Sequence, residues 1–409
     1  MKKLHFIGIG GAGMTPLAKL ALESGAAVSG SDSADSPKSA ALKSLGAGVY
    51  TGHRAEQVPE DADMVIYSSA ISEDNCERKQ AAALGIPQLR RGEFLGEFSR
   101  RYQRVTAISG SHGKSSITAM LTTILEQCDM DPGALIGAAR NEGESAISGN
   151  GDIFVTEVDE SDGTHVFVSP YLGIVPNIDG DHEWSVGGAE ALEENFRTFG
   201  RNCRHLLIAG TSDLKEFFSF HPSLYEAELP DTFAGFHGFM AANAALAVRG
   251  AELLGVSRDD AIAAVSRFKG IERRMRVLNS WSDVTVIEDY AHHPTEVRAS
   301  IELVRRLYPS AHLHVVFQPH RYARLERFFE DFVQVLKLAD KVTVTPVFAA
   351  WTETGDVDSA CLSARLPNSE YTQVSWQELA AELRKSDSGV ILLLGAGDIS
   401  ELAALLSRR

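Results

Sequence analysis

The residues with the plainest chemical reading lie in VTAISGSHGKSSIT, residues 105–118, where a β-branched run enters a Gly/Ser/His turn and Lys114, Ser115 and Ser116 open a helical pattern. Gly110 and Gly113 let the backbone curl so that successive N–H groups point at one anion, and the helix N-terminus behind them adds partial positive charge. Such a turn cradles phosphate. Lys114 can reach the outer phosphates of a nucleotide and Ser115 can ligate a Mg²⁺ between them, the division of labour of a P-loop. The general pattern wants a further glycine where this chain has Ile108. A glycine-rich strand-to-helix turn that holds nothing is therefore the alternative.

Acids follow at a distance. DIFVTEVDESDG carries Glu157, Asp159, Glu160 and Asp162, four acids within six residues at the end of a strand pattern. Clustering them is costly unless a cation or solvent neutralises them. A solvated acidic loop would do so, but a P-loop needs an acidic strand end for its Mg²⁺. The next strand pattern, YLGIVPNI, ends in Asn177, Asp179, Asp181 and His182. On spacing alone His182 reads as a loop histidine, with metal ligation as the other option.

Two further polar constellations flank this one. Near the N-terminus, KLHFIGIG runs into Gly8-x-Gly10-Gly11-x-Gly13, then a helical stretch and a second strand ending in Asp32. Strand, glycine turn, helix, strand and terminal acid form the dinucleotide-binding fingerprint, with Asp32 placed to accept from a ribose. A glycine-rich βα turn serves any diphosphate, so the fingerprint alone does not select NAD. Arg90 and Arg91 are anion contacts beside that turn or solvated surface arginines. Toward the C-terminus, Arg273 and Arg274 precede the strand DVTVIEDY, which leads into Asp289, His292, His293, Pro294, Thr295 and Glu296, while HLHVVFQ ends in Pro319, His320 and Arg321. Pro294 at a helix start with Glu296 in its first turn is good helix-opening chemistry.

The elements that position these residues alternate strand and helix throughout, which implies parallel sheets. Helices are expected over Ala41–Ala47, Asn75–Leu84, Ile117–Gln127, Ala241–Leu254 and Arg258–Phe268. Leu325, Phe328, Phe329, Phe332, Val333 and Leu336 mark one more helix with a core-facing stripe. A last glycine turn, Gly395 to Asp398, reads as packing. The 409 residues fit two or three domains. With 39 Lys and Arg against 55 Asp and Glu, the net charge is −16, which disfavours nucleic acid and anionic membranes as partners. The cysteines Cys76, Cys128, Cys203 and Cys361 form no C-x-x-C pair and no 18-residue apolar run occurs, so a reducing cytoplasmic location is expected.

Taken in order, HFIGIGGAGM, VSGSD, SSAIS, RRGEFL, SGSHGKSS, EVDESD, PNIDGDH, FKGIERR, EDYAHHPTE, VVFQPHRY and LLLGAGDI are eleven collinear segments that span residues 4 to about 399. The chain thereby resembles the Mur ligases of peptidoglycan synthesis, and HHPTE with FQPHRY resembles their alanine-adding branch. The resemblance implies an α/β protein of three domains: a Rossmann-like sugar-nucleotide domain (1–103), a central P-loop ATPase domain (104–268) and a C-terminal Rossmann-like ligase domain (269–409). It implies that the lactyl carboxylate of UDP-N-acetylmuramate takes the γ-phosphoryl group of ATP and that the amine of L-alanine attacks the acyl phosphate. By the same resemblance, Gly10, Gly11, Ala12, Gly13 and Met14, with Asp32, Ser69 and Arg91, would bind the sugar nucleotide. Gly110, Ser111, His112, Gly113, Lys114, Ser115 and Ser116, with Asn177, Asn243, Arg274 and Asp289, would bind ATP, Asp289 through ribose hydroxyls. Ser115, Glu157 and His182 would hold Mg²⁺, and His293, His320 and Arg321 would line the amino-acid pocket. A monomer or homodimer is expected.

The chain also departs from the family text. Ser111, Ser115 and Ser116 replace threonines, Glu288 replaces an aspartate, and Phe239-Met240 stands where the family has an adenine-contacting His-Asn. The region Cys203–Ala234 is shorter than usual. These departures keep open a relative with another amino acid or a recycled peptide as substrate, or a non-catalytic nucleotide-sugar-binding protein. A nicotinamide dehydrogenase would use Gly8–Gly13 and Asp32 but leave Lys114, Glu157 and HHPTE idle.

Overall fold

Short apolar runs punctuated by glycine build three main sheets in the computed structural model, which describes residues 1–160, 163–179, 186–350 and 354–407. His182, Asp162 and Asp181 lie outside the described residues. Residue contacts group the chain into two compact units, Met1–Phe236 with Ala241–Lys269, and Gly270–Arg409 with His237–Met240.

The first unit holds two of the sheets. One is all parallel, with strands ordered Gly48–Thr51, Ala27–Asp32, Lys3–Ile7, Met64–Tyr67, Gln88–Arg90. The other has seven strands, ordered Leu224–Ala227, His205–Ala209, Leu172–Val175, Arg104–Ile108, Ile153–Glu157, Gly133–Leu135, Ala146–Ser148. Its one antiparallel pair is the edge pair Gly133–Leu135 with Ala146–Ser148. The second unit has a six-stranded sheet, ordered Arg276–Trp281, Asp283–Asp289, Ser388–Leu394, Leu313–Phe317, Lys341–Val344, Ser369–Tyr371. Strands such as GVILLL are apolar at every position because helices cover both faces. Val315 and Leu392 join a core on one side with Val297 and Phe332, whereas Val316 and Leu393 join a core on the other with Leu379 and Leu402.

Several helices begin elsewhere than their periodicity suggests. The helix expected over Ala41–Ala47 runs Pro37–Ser44, started by Pro37 and by reciprocal Ser36–Ser39 capping. The single helix drawn through Leu325–Leu336 is two, Tyr322–Arg327 and Phe329–Leu336, which break at Phe328. Leu325, Phe332, Val333 and Leu336 are buried as a stripe predicts, and the ring of Phe328 packs edge-on against His293 at 4.6 Å.

Candidate active site

Register brings the polar residues together, because in each sheet the central strands end level with one another. In the seven-stranded sheet Ile108 pairs with both Glu157 and Ile174, so the turns after three neighbouring strands converge, where open α/β sheets place ligands. Gly110 (φ +145°) and Gly113 (φ +87°) adopt backbone that disfavours a side chain. A Cβ on Gly110 would lie 2.8 Å from Asn177 O, and one on Gly113 the same distance from Asn243 Oδ1. Asn177 clamps the turn: its Oδ1 accepts from His112 N at 2.8 Å and its Nδ2 donates to His112 O at 3.1 Å. Ser111 Oγ donates to Asp179 O (3.0 Å) and accepts from Asp179 N (2.8 Å), and His112 Nε2 lies 2.8 Å from Asp179 Oδ2. Ser116 is buried in the helix Lys114–Gln127.

Lys114 Nζ donates to Gly110 O at 2.6 Å and to Glu160 Oε2 and Oε1 at 2.8 and 3.1 Å. Burial pulls its pKa down, but Glu160, Asp159 and Glu157 outweigh burial and hold the ammonium charged, above its ordinary range. Ser115 Oγ donates to Glu157 Oε2 at 2.7 Å, which puts two hard oxygen donors side by side at the mouth of the cradle, the donor chemistry a Mg²⁺ takes. Gly137, which motif reading passed over, makes this possible: a Cβ there would overlap Glu157 Oε1.

In the five-stranded sheet Ile7 pairs with Ser31 and Tyr67. The glycine turn is hung on the second strand, with Gly8 N and Ile9 N donating to Ser31 O (2.8 and 3.0 Å) and Gly10 N donating to Asp32 Oδ2 at 2.8 Å. One oxygen of Asp32 thus braces the turn. Gly11 O accepts from Met14 N at 3.0 Å as the helix begins. Arg91 lies across Gly13, where a Cβ would be 3.0 Å from its Nη1, and Arg91 Nη2 donates to Thr164 Oγ1 at 3.2 Å. Ser69, Tyr67, Arg78, Arg90, Arg91 and Thr164 line an adjoining cavity of about 250 Å³. Arg91 therefore joins the glycine turn to the segment that follows the acids of the phosphate cradle.

In the second unit Asp289 and Phe317 both end level with Leu394. Asp289, expected at ribose hydroxyls, accepts from Met275 N and Ala291 N, one per oxygen, at 2.8 Å each, which leaves further contacts to the remaining lone pairs. Burial lifts its pKa to about 6 against the pull of Arg274. Arg274 Nη1 lies 3.3 Å from Glu296 Oε1. His293 is 6% exposed and caps the helix Pro294–Leu307, its Nδ1 facing Thr295 N. Its neighbour His292, which the resemblance does not place in the amino-acid pocket, donates from Nδ1 to Tyr290 O at 2.9 Å. A carbonyl only accepts, so the proton sits on Nδ1 and Nε2 keeps its lone pair. Burial foremost depresses both, His292 to about 4 against the pull of Glu296 and His320 to about 3 with His292 and the nearby arginines adding to it. His320 stacks on Phe348 and meets His292 edge-on at 5.5 Å, and Arg324 Nη1 reaches its Nδ1 at 3.3 Å. Arg321 holds a rare backbone, φ +67°, the kind of local strain that surrounding structure must impose. The Gly395–Asp398 turn packs as expected, for a Cβ on Gly397 would overlap Gln318 and Phe348.

Three mostly parallel sheets with polar turns at their strand ends, one of them a lysine-bearing phosphate cradle, define an α/β nucleotide-binding protein. Residues 3–103 match the model of the Mur ligase family, catalytic domain, and residues 273–397 that of the Mur ligase, glutamate ligase domain. A UDP-N-acetylmuramate–L-alanine ligase of Aquifex aeolicus is 36% identical over 439 residues, covering 98% of this chain and 96% of its own. That aligned length exceeds 409, so the relative carries residues this chain lacks. The crystal structure of a UDP-N-acetylmuramate-alanine ligase of Thermotoga maritima superposes with TM-score 0.82 at 25% identity, covering 99% and 98% of the two chains. A murein peptide ligase of Psychrobacter arcticus shares the fold, with TM-score 0.72, 21% identity and coverage of 100% and 99%. The chain belongs to the Mur ligase family.

Proposed function

We propose that this chain is an ATP-dependent ligase that joins L-alanine to the lactyl carboxylate of UDP-N-acetylmuramate in peptidoglycan synthesis. The observation that carries the reading is the pairing of a charged Lys114 with the Ser115–Glu157 oxygen pair at one phosphate cradle, in a chain whose full-length relative bears that activity in its name. A carboxylate oxygen attacks the γ-phosphorus and ADP leaves, because a bare carboxylate is too poor an acceptor for an amine. The amine then attacks the acyl carbon and phosphate departs. Lys114 balances charge on the transferring group, and the Gly110–Gly113 amides orient the phosphates. Ser115 and Glu157, whose oxygens already lie side by side, would hold Mg²⁺ together with His182 as the resemblance implies, and the ion would supply charge neutralisation to the phosphates.

The turn at Gly8–Gly13 with Arg91 suits the diphosphate of the sugar nucleotide. In the second unit the Arg321 guanidinium suits the amino-acid carboxylate, and neutral His292 offers an acceptor to its ammonium. The three sheets support functional domains at 1–103, 104–268 and 269–409, acting in the cytoplasm. Among the described residues no helix is long and apolar enough to cross a membrane.

An amino-acid panel with phosphate readout tests the reading. Release should require ATP, Mg²⁺ and UDP-N-acetylmuramate together and be fastest with L-alanine. Another preferred amino acid would replace alanine, and no release with any of them would sink the ligase.

A further inference from the structure

Glu160 is fully buried three residues past the strand that ends in Glu157, and the phosphate-cradle pattern asks for no second acid there. Both of its oxygens face Lys114 Nζ, at 2.8 and 3.1 Å, while the same ammonium donates to Gly110 O at 2.6 Å. Glu157 engages Ser115 Oγ instead. The two acids divide the cradle's side chains between them: Glu157 serves the hydroxyl and Glu160 the ammonium. A lysine on a long flexible stem gains from being held in place before the reacting group arrives, since a misplaced charge stabilises the transition state poorly.

We propose that Glu160 is a positioning residue for phosphoryl transfer, its carboxylate holding the Lys114 ammonium against the Gly110 carbonyl inside the phosphate turn. The inference rests on the ligase reading. Its signature follows from charge. Removing the Glu160 carboxylate frees Lys114 to wander, which weakens the contact made in the transition state. It also removes an anion from beside the triphosphate, which favours binding in the ground state. The result should be a lower kcat without a higher KM for ATP.

Glu160→Gln keeps shape and loses charge. It should lower kcat by about 10- to 100-fold, the range seen when a group that orients a functional ligand is lost, with KM for ATP unchanged or lower. Glu160→Asp keeps the charge on a shorter arm and should recover part of kcat. The affinity for UDP-N-acetylmuramate should stay at the wild-type level in both, while the melting temperature should fall in the Gln variant, which strips the enclosed Lys114 ammonium of its nearest counter-charge, and less in the Asp variant. If the Gln variant does not fold, the Asp variant carries the test through the same split between kcat and KM. Wild-type kcat in the folded variants, or a raised KM for ATP at unchanged kcat, overturns the positioning role alone. A wild-type chain that releases no phosphate with any amino acid overturns the ligase reading and this inference with it.

Discussion

Burial disfavours an ammonium, and at Lys114 the charges of Glu160, Asp159 and Glu157 outweigh it and hold the group protonated. Lys114→Ala should therefore cut turnover by at least about 10²-fold, as for loss of one transition-state donor, while UDP-N-acetylmuramate binding measured by calorimetry stays near wild type. Gly137→Ala should act on a different term. Its Cβ displaces the Glu157 carboxylate from Ser115, so the Mg²⁺ concentration for half-maximal activity should rise about 10-fold or more, read from a Mg²⁺ titration of phosphate release. The adjacent histidines separate cleanly as well. His293→Ala removes a helix cap and a ring packed on Phe328 and should cost about 1–2 kcal/mol of stability, read by denaturant unfolding, with KM for alanine little changed. His292→Ala should do the reverse and raise KM for alanine.

The helix Arg91–Ser99 does the joining work within the first unit. It lays Gly92 and Gly96 against the turn Thr164–Phe167, where a Cβ on Gly92 would sit 3.0 Å from Thr164 Cα and one on Gly96 would overlap Phe167 O. Only glycine permits that approach. Gly92→Ala should destabilise the unit by about 1–3 kcal/mol, the cost of overpacking, and should weaken UDP-N-acetylmuramate binding because Arg91 shifts with the helix. Unfolding and binding measurements on the same preparation check both effects. The two helices that meet at Phe328 make a related point: the stripe of apolar residues was visible in the text, but the break between them was not, and the ring at the break packs against His293, a residue of another element.

Across the second unit the buried titratable groups set a pH dependence. His292 and His314 lie near 4 and His320 near 3 in the fold, below the ordinary histidine value of about 6.5. The unfolded chain therefore binds more protons between these values, so their contribution is complete above about pH 6.5 and is lost as pH falls toward 4 and 3. Asp289, raised to about 6, works the other way: the fold holds its proton more tightly, which gains stability as pH falls through that value. Glu288, likewise raised by burial, acts in the same direction, and the three histidines oppose these two acids. The thermal transition of this unit should drop between pH 6.5 and 4, and calorimetry of His320→Gln should show a shallower slope.

The phosphate cradle and the glycine turn were legible in the chain because their requirements are local: positive φ at Gly110 and Gly113, a lysine at a helix start, an apolar strand just before. The alternation of strand and helix carried the sheet class for the same reason, since period and punctuation are properties of short stretches. Residue text could not say which acid serves Ser115 and which serves Lys114, why Gly137 must be glycine, or that His292 rather than His293 keeps a nitrogen lone pair available. Nor could it say that Asp289 spends its oxygens on two backbone amides. The division between the two acids depends on strand register, which sets Ile108 level with Glu157, and on contacts between residues more than forty positions apart; the His292 and Asp289 contacts are nearer in sequence but depend on the path the backbone takes once the strand ending in Asp289 is fixed level with Leu394.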